Sequence, residues 1–151
     1  MRTMKNVTLS WQPEAGRFEA IGGHRAFPIP VNAPHGDGPA TGFSPAELLL
    51  ASAAACSAWD VVEILRKARQ PLDDLRVEAQ GRQQEERPFA FIAVELVFQA
   101  HGEGLDRRRV EHAVALSVER YCSVINTISG VARVTTRVEM IETSRPALGS
   151  A

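Results

Sequence analysis

The sequence predicts an α+β fold with a largely antiparallel sheet, and three observations support this prediction. Apolar and polar residues alternate in several short segments, as they do in strands that bury one face. Short turns join most of these segments, which favours antiparallel hairpins over parallel strands linked by helices. Two helical segments lie between the strands, and the first is apolar on every side over residues 48 to 58.

The N-terminal region is expected to form three strands. Residues 7 to 12 and 17 to 21 alternate in hydrophobicity and are separated by the turn sequence "PEAG", so they predict a hairpin. Residues 27 to 31 alternate in the same way, but Pro28 and Pro30 have no amide hydrogen to give to a neighbouring strand. We therefore expect this third strand at the edge of its sheet.

A helix is expected to follow a loop at residues 32 to 43. Ser44 is a favourable N-cap, and Pro45 suits the first helical position. Glu47 lies three residues after the cap and completes the pattern of a capping box. The helical pattern continues to about Ala68.

The apolar part of this helix raises the question of what covers it. A helix that is apolar all round is enclosed by other elements. One small sheet and one amphipathic helix would cover it poorly, so a second subunit is a reasonable hypothesis.

The second half of the chain is expected to contain two strands, a helix with a short extension, and a final strand. Residues 75 to 80 and 90 to 98 are the two strands, joined by a polar hairpin loop. The helix begins near Asp106, and its extension covers residues 122 to 129. Residues 132 to 140 show the clearest alternation in the chain and form the last strand.

Length and composition suggest one soluble domain. We place it at residues 1–142 of the 151 and expect residues 143–151 to be a disordered tail. The formal net charge is −1 with the charges scattered, so a nucleic acid is not an expected partner. The N-terminus lacks the apolar core of a signal peptide, and the longest apolar run is shorter than the roughly 20 residues that cross a bilayer. These features predict a cytoplasmic protein that does not bind membranes.

Cys56 lies in the segment "AAACSAW" and admits two interpretations. Free cysteine is commonly buried and packs like a small apolar residue. The small neighbours Ala55 and Ser57 would also leave room for a peroxide or a second sulfur to approach a reactive thiol. Cys122, in "ERYCSVI", admits the same two interpretations, and both cysteines lie on predicted helical segments that can hold them rigidly.

Other recognisable chemical motifs are absent from the sequence. The histidines do not have the spacing of metal ligands; they are His24, His35, His101 and His112. The chain also lacks a CxxC pair, a nucleophile elbow and a P-loop. We therefore expect neither a metal site nor a cofactor, and the two cysteines are the candidate reactive groups.

Two segments resemble those of the OsmC/Ohr family, the osmotically inducible and organic hydroperoxide resistance proteins. They are "SPAELLLASAAACSAWDVVEIL" and, further along the chain, "VERYCSVINTI" before the closing strand. The resemblance extends from the first strand to Glu142. It is closest to short OsmC-like proteins that have Ser-Pro-x-Glu before the first long helix.

This resemblance implies an intertwined homodimer in which sheets from both chains wrap two long central helices. It places each active site at the subunit interface. It also implies a thiol-dependent peroxidase that reduces organic hydroperoxides in an oxidative stress response. In that interpretation Cys56 is the peroxidatic residue and Cys122 is its resolving partner, and a dithiol of the lipoyl type or a small thiol is the reductant.

The family's peroxidases also use an arginine and a glutamate to support the thiolate. Arg17, just after the first turn, is the best positional candidate for the arginine, with Arg25 as the alternative. The glutamate usually follows the proline directly, but Ala46 occupies that position here and Glu47 comes one residue later. Glu47 is therefore either the partner of the arginine or only a capping residue.

Three functions remain open from the sequence. The leading hypothesis is a peroxidase that uses Cys56 and Cys122. The alternative is a dimeric binding or stress protein that has an apolar pocket at its interface and little peroxide turnover. A general disulfide reductase is the least favoured because the chain has no CxxC pair.

Overall fold

The computed structural model describes residues 4–23, 27–32 and 41–142. Residues 1–49 and 50–151 form two compact units, which are described in turn. Arg25, most of the predicted loop at residues 32 to 43 and the predicted tail lie outside the described residues. The single domain over residues 1–142 stays a prediction.

The first unit contains a three-stranded antiparallel sheet in the order β1-β2-β3. Its strands are β1 (Val7–Gln12), β2 (Arg17–Gly22) and β3 (Ile29–Val31). Gly16 has a φ of 59° in the turn between β1 and β2, a backbone conformation that glycine adopts without strain. The predicted hairpin and the predicted edge strand are both confirmed.

One face of this sheet is apolar, and most of its large side chains are exposed although Val31 is buried. Trp11 pairs with Phe18 across β1 and β2, and their ring centroids are 5.0 Å apart. Phe18 is in turn paired with Val31 of β3, so all three side chains share a face. The large apolar residues of this unit that are at least 38% exposed include Val7, Leu9, Trp11, Phe18 and Ile29. A surface of this kind usually marks an interaction site.

The helix α1 (Pro45–Lys67) begins with the predicted capping box. The amide nitrogen of Ser44 donates to Glu47 Oε2 at 2.8 Å, and the amide nitrogen of Glu47 donates to Ser44 Oγ at 3.2 Å. These reciprocal bonds satisfy two amide groups that a helix start would otherwise leave without partners.

The second unit contains a sheet in the order β4-β5-β6. The strands are β4 (Asp74–Gln83), β5 (Phe91–His101) and β6 (Arg133–Met140). The first two are antiparallel, as expected, whereas β5 and β6 are parallel. The parallel pair is possible because the helical region between the two strands returns the chain to the starting edge. Val94, Leu96 and Phe98 of the central strand are fully buried in the core.

The second helical region is broken into three pieces. Helix α2 (Arg107–Leu116) starts at the predicted N-cap Asp106, which accepts a hydrogen bond from Arg108 N at 2.8 Å. A π-helical turn (Ser117–Tyr121) follows, and then the short helix α3 (Ser123–Ile128). The sequence predicted the short extension but not the π turn.

The described residues of one chain cover helix α1 on one side only, in line with the expectation that a single sheet and helix cover it poorly. The second subunit that would complete the cover stays a prediction. Four residues one turn apart are buried, namely Ala53, Ser57, Val61 and Leu65. On the other side, Ala51, Ala55, Trp59 and Val62 are exposed, and Trp59 reaches 72%. We call these four residues the α1 stripe. Within the part of the chain that the structure describes, the middle of α1 therefore presents an exposed apolar surface.

By length and composition alone, α1 is also long and apolar enough to cross a membrane. The sequence-based expectation counted only the apolar run from 48 to 58, which is shorter than the whole helix. The core helix of a soluble protein meets the same two criteria, so this property is weak evidence for a membrane span.

Candidate active site

The structure brings the two cysteines together. Cys56 lies in the middle of α1, and Cys122 is the N-cap residue of α3. Their Sγ atoms and a carboxylate oxygen of Asp60 all lie within 4.8 Å of one another. Both thiols are free; Cys56 is partly exposed and Cys122 is buried. Two residues that are remote in the chain thus share one site.

Helical spacing places Cys56 and Asp60 on the same side of α1. They are four residues apart, which is close to one turn of an α-helix. The neighbouring Ser57 is buried, and its hydroxyl donates to the carbonyl oxygen of Ala53 at 2.9 Å. This bond satisfies the serine hydroxyl within the helix, so a small polar residue is accommodated beside Cys56.

The π turn sets the position of Cys122. The amide nitrogen of Cys122 donates to Ser117 O at 2.8 Å, which closes the wider π-helical turn. The backbone of Cys122 is extended, with φ −69° and ψ 103°, and its Sγ accepts from Ile125 N at 3.4 Å. Turns of this type occur frequently at functional sites. A hydrophobic pattern does not reveal such a turn, so the sequence analysis missed it.

Asp60 is a member of the site that the sequence analysis also missed. The hydroxyl of the buried Ser117 donates to Asp60 Oδ2 at 2.9 Å, which fixes the carboxylate beside the two sulfurs. The four-residue spacing from Cys56 was the available signal, but Asp60 was counted only as the start of the polar side of the helix.

Burial raises the pKa of the Cys56 thiol, but it is not the only influence. Hydrogen bonds from the Val124 amide, the Cys122 thiol and the Ser123 hydroxyl act in the opposite direction and outweigh burial. The Ser123 Oγ lies 4.0 Å from the sulfur. The nearby negative charge of Asp60 opposes ionisation, yet the pKa of Cys56 still lies below its ordinary value. Cys56 is therefore the thiol that ionises first.

The surroundings of Cys122 raise the pKa of its thiol. Burial is the largest cause that raises its pKa, and its hydrogen bond to Cys56 and the charge of the Cys56 thiolate raise it further. An amide hydrogen bond from Ile125 only partly offsets these effects, and the pKa of Cys122 rises to about 12. When the pair loses its first proton, the charge therefore lies on Cys56, beside a neutral Cys122 thiol.

Arg17 lies in the first unit, at the start of β2. Its Nη2 is 3.5 Å from Glu19 Oε1, and both side chains are about one-third exposed. Its Nε is buried and, among the described residues, has no hydrogen-bond acceptor. Arg25, the alternative candidate, lies outside the described residues.

Glu47 adopts the geometry of a capping residue. Its Oε2 accepts from the amide and from the hydroxyl of Ser44, at 2.8 and 2.9 Å. The hydrogen bond from the Ser44 amide is the larger cause that lowers the pKa of Glu47, and the hydrogen bond from the Ser44 hydroxyl is the second. The carboxylate is therefore ionised at neutral pH and engaged at the start of the helix.

The fold and the site define a class: an α+β protein with two convergent thiols, one on a long helix and one at the start of a short helix. The sequence model of the OsmC-like protein family matches residues 36–137. The chain belongs to the OsmC/Ohr family, which confirms the resemblance found in the sequence. It is also 39% identical over 98 residues to Protein YhfA of Escherichia coli K12, covering 65% of this chain and 73% of that protein.

Solved structures show the same fold. The OsmC-like protein of Mycoplasma pneumoniae matches with a TM-score of 0.79 at 20% identity, over 94% of this chain and all of that one. An organic hydroperoxide resistance protein OsmC of Legionella pneumophila matches with a TM-score of 0.65 at 18% identity, over 91% and 97% of the two chains. At these identities the likeness establishes the α+β fold.

Proposed function

We propose that this protein is a thiol-dependent peroxidase that reduces organic hydroperoxides, with Cys56 as the peroxidatic residue and Cys122 as the resolving residue. One observation carries the proposal: the two sulfurs lie within 4.8 Å, and the pKa of Cys56 is lowered while that of Cys122 is raised. The fold shared with an organic hydroperoxide resistance protein supports the choice of substrate class.

The first step is attack by the Cys56 thiolate on a peroxide oxygen. The sulfur–oxygen bond forms as the O–O bond breaks, which oxidises Cys56 to a sulfenic acid and reduces the peroxide to an alcohol. The leaving alkoxide takes up a proton. A thiolate is required because the neutral thiol is a poor nucleophile.

The second step is attack by Cys122 on the sulfenic sulfur of Cys56. A disulfide forms, and the hydroxyl group leaves as water after it takes the thiol proton of Cys122. Two of the influences that raise the pKa of Cys122 are its hydrogen bond to Cys56 and the thiolate charge. Both disappear once Cys56 is oxidised, so Cys122 ionises more readily when it has to react.

A dithiol then restores the enzyme by thiol–disulfide exchange. One reductant thiolate attacks the disulfide, and the second displaces the remaining enzyme thiol, so that a cyclic disulfide leaves. We assign this step to a lipoyl-type or small dithiol in the cytoplasm.

The uncovered apolar surfaces support a homodimer with an active site at each subunit interface. The sheet face of the first unit exposes Trp11, at 53%, and Phe18, at 39%. The α1 stripe exposes Trp59 at 72%. Exposed apolar surfaces of this kind are common at interfaces between subunits, which supports the proposed dimer.

We further assign Arg17 as the cation that supports the thiolate. The supporting observation is its buried Nε, which has no hydrogen-bond acceptor among the described residues. The geometry of Glu47 favours the capping role, so its action on the arginine is the weaker of the two assignments.

The proposal is tested by the consumption of cumene hydroperoxide in the presence of a dithiol. Cys56→Ser should be inactive, because a hydroxyl cannot replace the thiolate. Cys122→Ser should turn over slowly and accumulate over-oxidised Cys56. Ala68→Ser, a change of similar size at an exposed position just beyond α1, serves as the matched control and should be as active as the wild type.

One observation favours the alternative of a dimeric binding or stress protein. The carboxylate of Asp60 lies within 4.8 Å of both sulfurs and opposes the ionisation of Cys56. Equal and negligible peroxide consumption by the wild type and both cysteine variants would contradict the peroxidase and favour the binding or stress protein.

A further inference from the structure

The donor atoms at the thiol site have the composition of a metal centre. Two sulfurs and one carboxylate oxygen converge from Cys56, Cys122 and Asp60, with all three atoms within 4.8 Å of one another. Cys56 lies on α1, and Cys122 lies at the start of α3. Asp60 lies one helical turn from Cys56 on α1. Thiolate and carboxylate groups are both established ligands of zinc in proteins.

We propose that the reduced protein binds one thiophilic divalent cation of the Zn²⁺ type through Cys56, Asp60 and Cys122, with a fourth position open to water. A tetrahedral zinc with Zn–S bonds of about 2.3 Å holds two sulfurs about 3.8 Å apart. The donor atoms, which lie within 4.8 Å of one another, thus need to approach by roughly 1 Å. Three protein ligands and an open position are a common zinc arrangement.

The charges at the site favour a cation. A carboxylate fixed beside two ionisable thiols makes each further negative charge costly, because like charges repel strongly when they are partly buried. A divalent cation reverses this effect and turns all three groups into stabilising ligands. Binding then displaces the thiol protons, since sulfur binds zinc as thiolate.

The surrounding hydrogen bonds already orient the ligands. Ser117 Oγ donates to Asp60 Oδ2 at 2.9 Å, and Ile125 N donates to Cys122 Sγ at 3.4 Å. Hydrogen-bond partners that orient the metal ligands in this way are a regular part of protein metal sites. Asp60 keeps its second carboxylate oxygen for the cation.

Cation binding and disulfide formation exclude each other at this site. Both use the two sulfurs as thiolates, and a disulfide sulfur is a poor ligand. The bound cation should therefore protect the cysteines from peroxide, and oxidation should release the cation. The inference does not depend on peroxidase turnover, because binding is measured without peroxide.

The test is a titration of the full-length reduced protein with Co²⁺, followed by displacement with Zn²⁺. We expect thiolate-to-cobalt charge-transfer absorption that saturates at one Co²⁺ per chain and disappears with Zn²⁺. Cys56→Ser and Cys122→Ser should each lose about half of this absorption. Asp60→Asn should keep the absorption but weaken binding at least tenfold.

Glu63→Gln is the matched control, because it also removes a carboxylate from α1. The Glu63 carboxylate pairs with Arg66 and is not a member of the proposed site. It should bind like the wild type. Ser117→Ala is a second, milder variant that should weaken binding about tenfold, as the loss of an orienting group does. The disulfide form should bind no Co²⁺.

The proposal is overturned if the reduced wild type shows no saturable charge-transfer absorption. It is also overturned if Asp60→Asn binds as tightly as Glu63→Gln, since the carboxylate would then not be a ligand. Circular dichroism of each variant establishes that it is folded. A failure of the cation site leaves the peroxide assay unchanged, and a failure of the peroxidase leaves the titration unchanged.

Discussion

At the scale of single residues, the two thiols differ because their neighbours differ. Cys56 is partly exposed and receives hydrogen bonds that favour its anionic form, despite burial and the charge of Asp60. Cys122 is fully buried and gives a hydrogen bond to Cys56, and its pKa is raised to about 12. The directions of these two shifts make Cys56 the thiol that ionises first, which supports its proposed role as the nucleophile.

The first prediction concerns the pH dependence of peroxide attack. The single-turnover rate should rise with pH through a midpoint below the ordinary cysteine pKa of about 8.5, as the Cys56 thiolate forms. Cys122→Ala removes a hydrogen-bond donor to the sulfur, so its midpoint should move to higher pH. Stopped-flow measurement of the two profiles checks this, with Cys122→Ser, which keeps a donor, as the control. Identical profiles for wild type and Cys122→Ala would contradict it.

The second prediction concerns Arg17. If this arginine supports the thiolate, Arg17→Met should lower the peroxidase kcat/KM at least tenfold and raise the midpoint of the pH profile. Arg25→Met is the matched control and should leave both unchanged. The reverse pattern would assign the role to Arg25 instead.

At the scale of secondary-structure elements, the start of α1 and the break between α2 and α3 have different origins. The start of α1 follows from Ser44 and Glu47, three residues apart, whose side chains each accept a hydrogen bond from the other's amide, so its position is encoded locally. The π turn before Cys122 brings Ser117 to Asp60, which is 57 residues away in the chain. That contact exists only once the fold has formed.

The third prediction tests the capping box. Ser44→Ala should lower the free energy of unfolding by about 1 kcal/mol, the usual cost of losing an N-cap side chain. Glu47→Gln should destabilise less and should reduce the loss of stability on acidification, because the carboxylate with a lowered pKa stabilises the fold above its unfolded pKa and loses this effect as pH falls. Urea unfolding at neutral and acidic pH measures both.

The same Glu47→Gln variant decides the role of this residue. A residue that acts only as a cap should leave the peroxidase kcat/KM within twofold of the wild type. A tenfold or greater loss of kcat/KM in a folded variant would show that Glu47 acts on the arginine.

At the scale of the whole molecule, local patterns predicted much of the fold. Alternation located the strands, and the capping residues located α1. The parallel pairing of β5 and β6 was not visible, because alternation gives the faces of a strand and not the direction of its neighbour. Asp60 was missed for a related reason: it looks like the polar edge of an amphipathic helix until Ser117 and Cys122 are placed beside it.

The fourth prediction concerns assembly. Trp59→Glu places a charge in the exposed α1 stripe and should shift the protein from dimer to monomer in light scattering coupled to gel filtration. Val131→Glu, a change at an apolar residue that is 80% exposed outside the stripe, should remain dimeric. A wild-type protein that is monomeric at all concentrations would contradict the proposed dimer.

The central claim is that the two sulfurs form a redox pair, and peptide mass mapping after exposure to one equivalent of cumene hydroperoxide without reductant tests it most directly. We predict a disulfide between Cys56 and Cys122 in the wild type. In Cys122→Ser we predict sulfenic acid on Cys56 after one equivalent, and sulfinic acid only after a second equivalent is added. Recovery of both cysteines as free thiols, with the hydroperoxide unconsumed, would contradict the account.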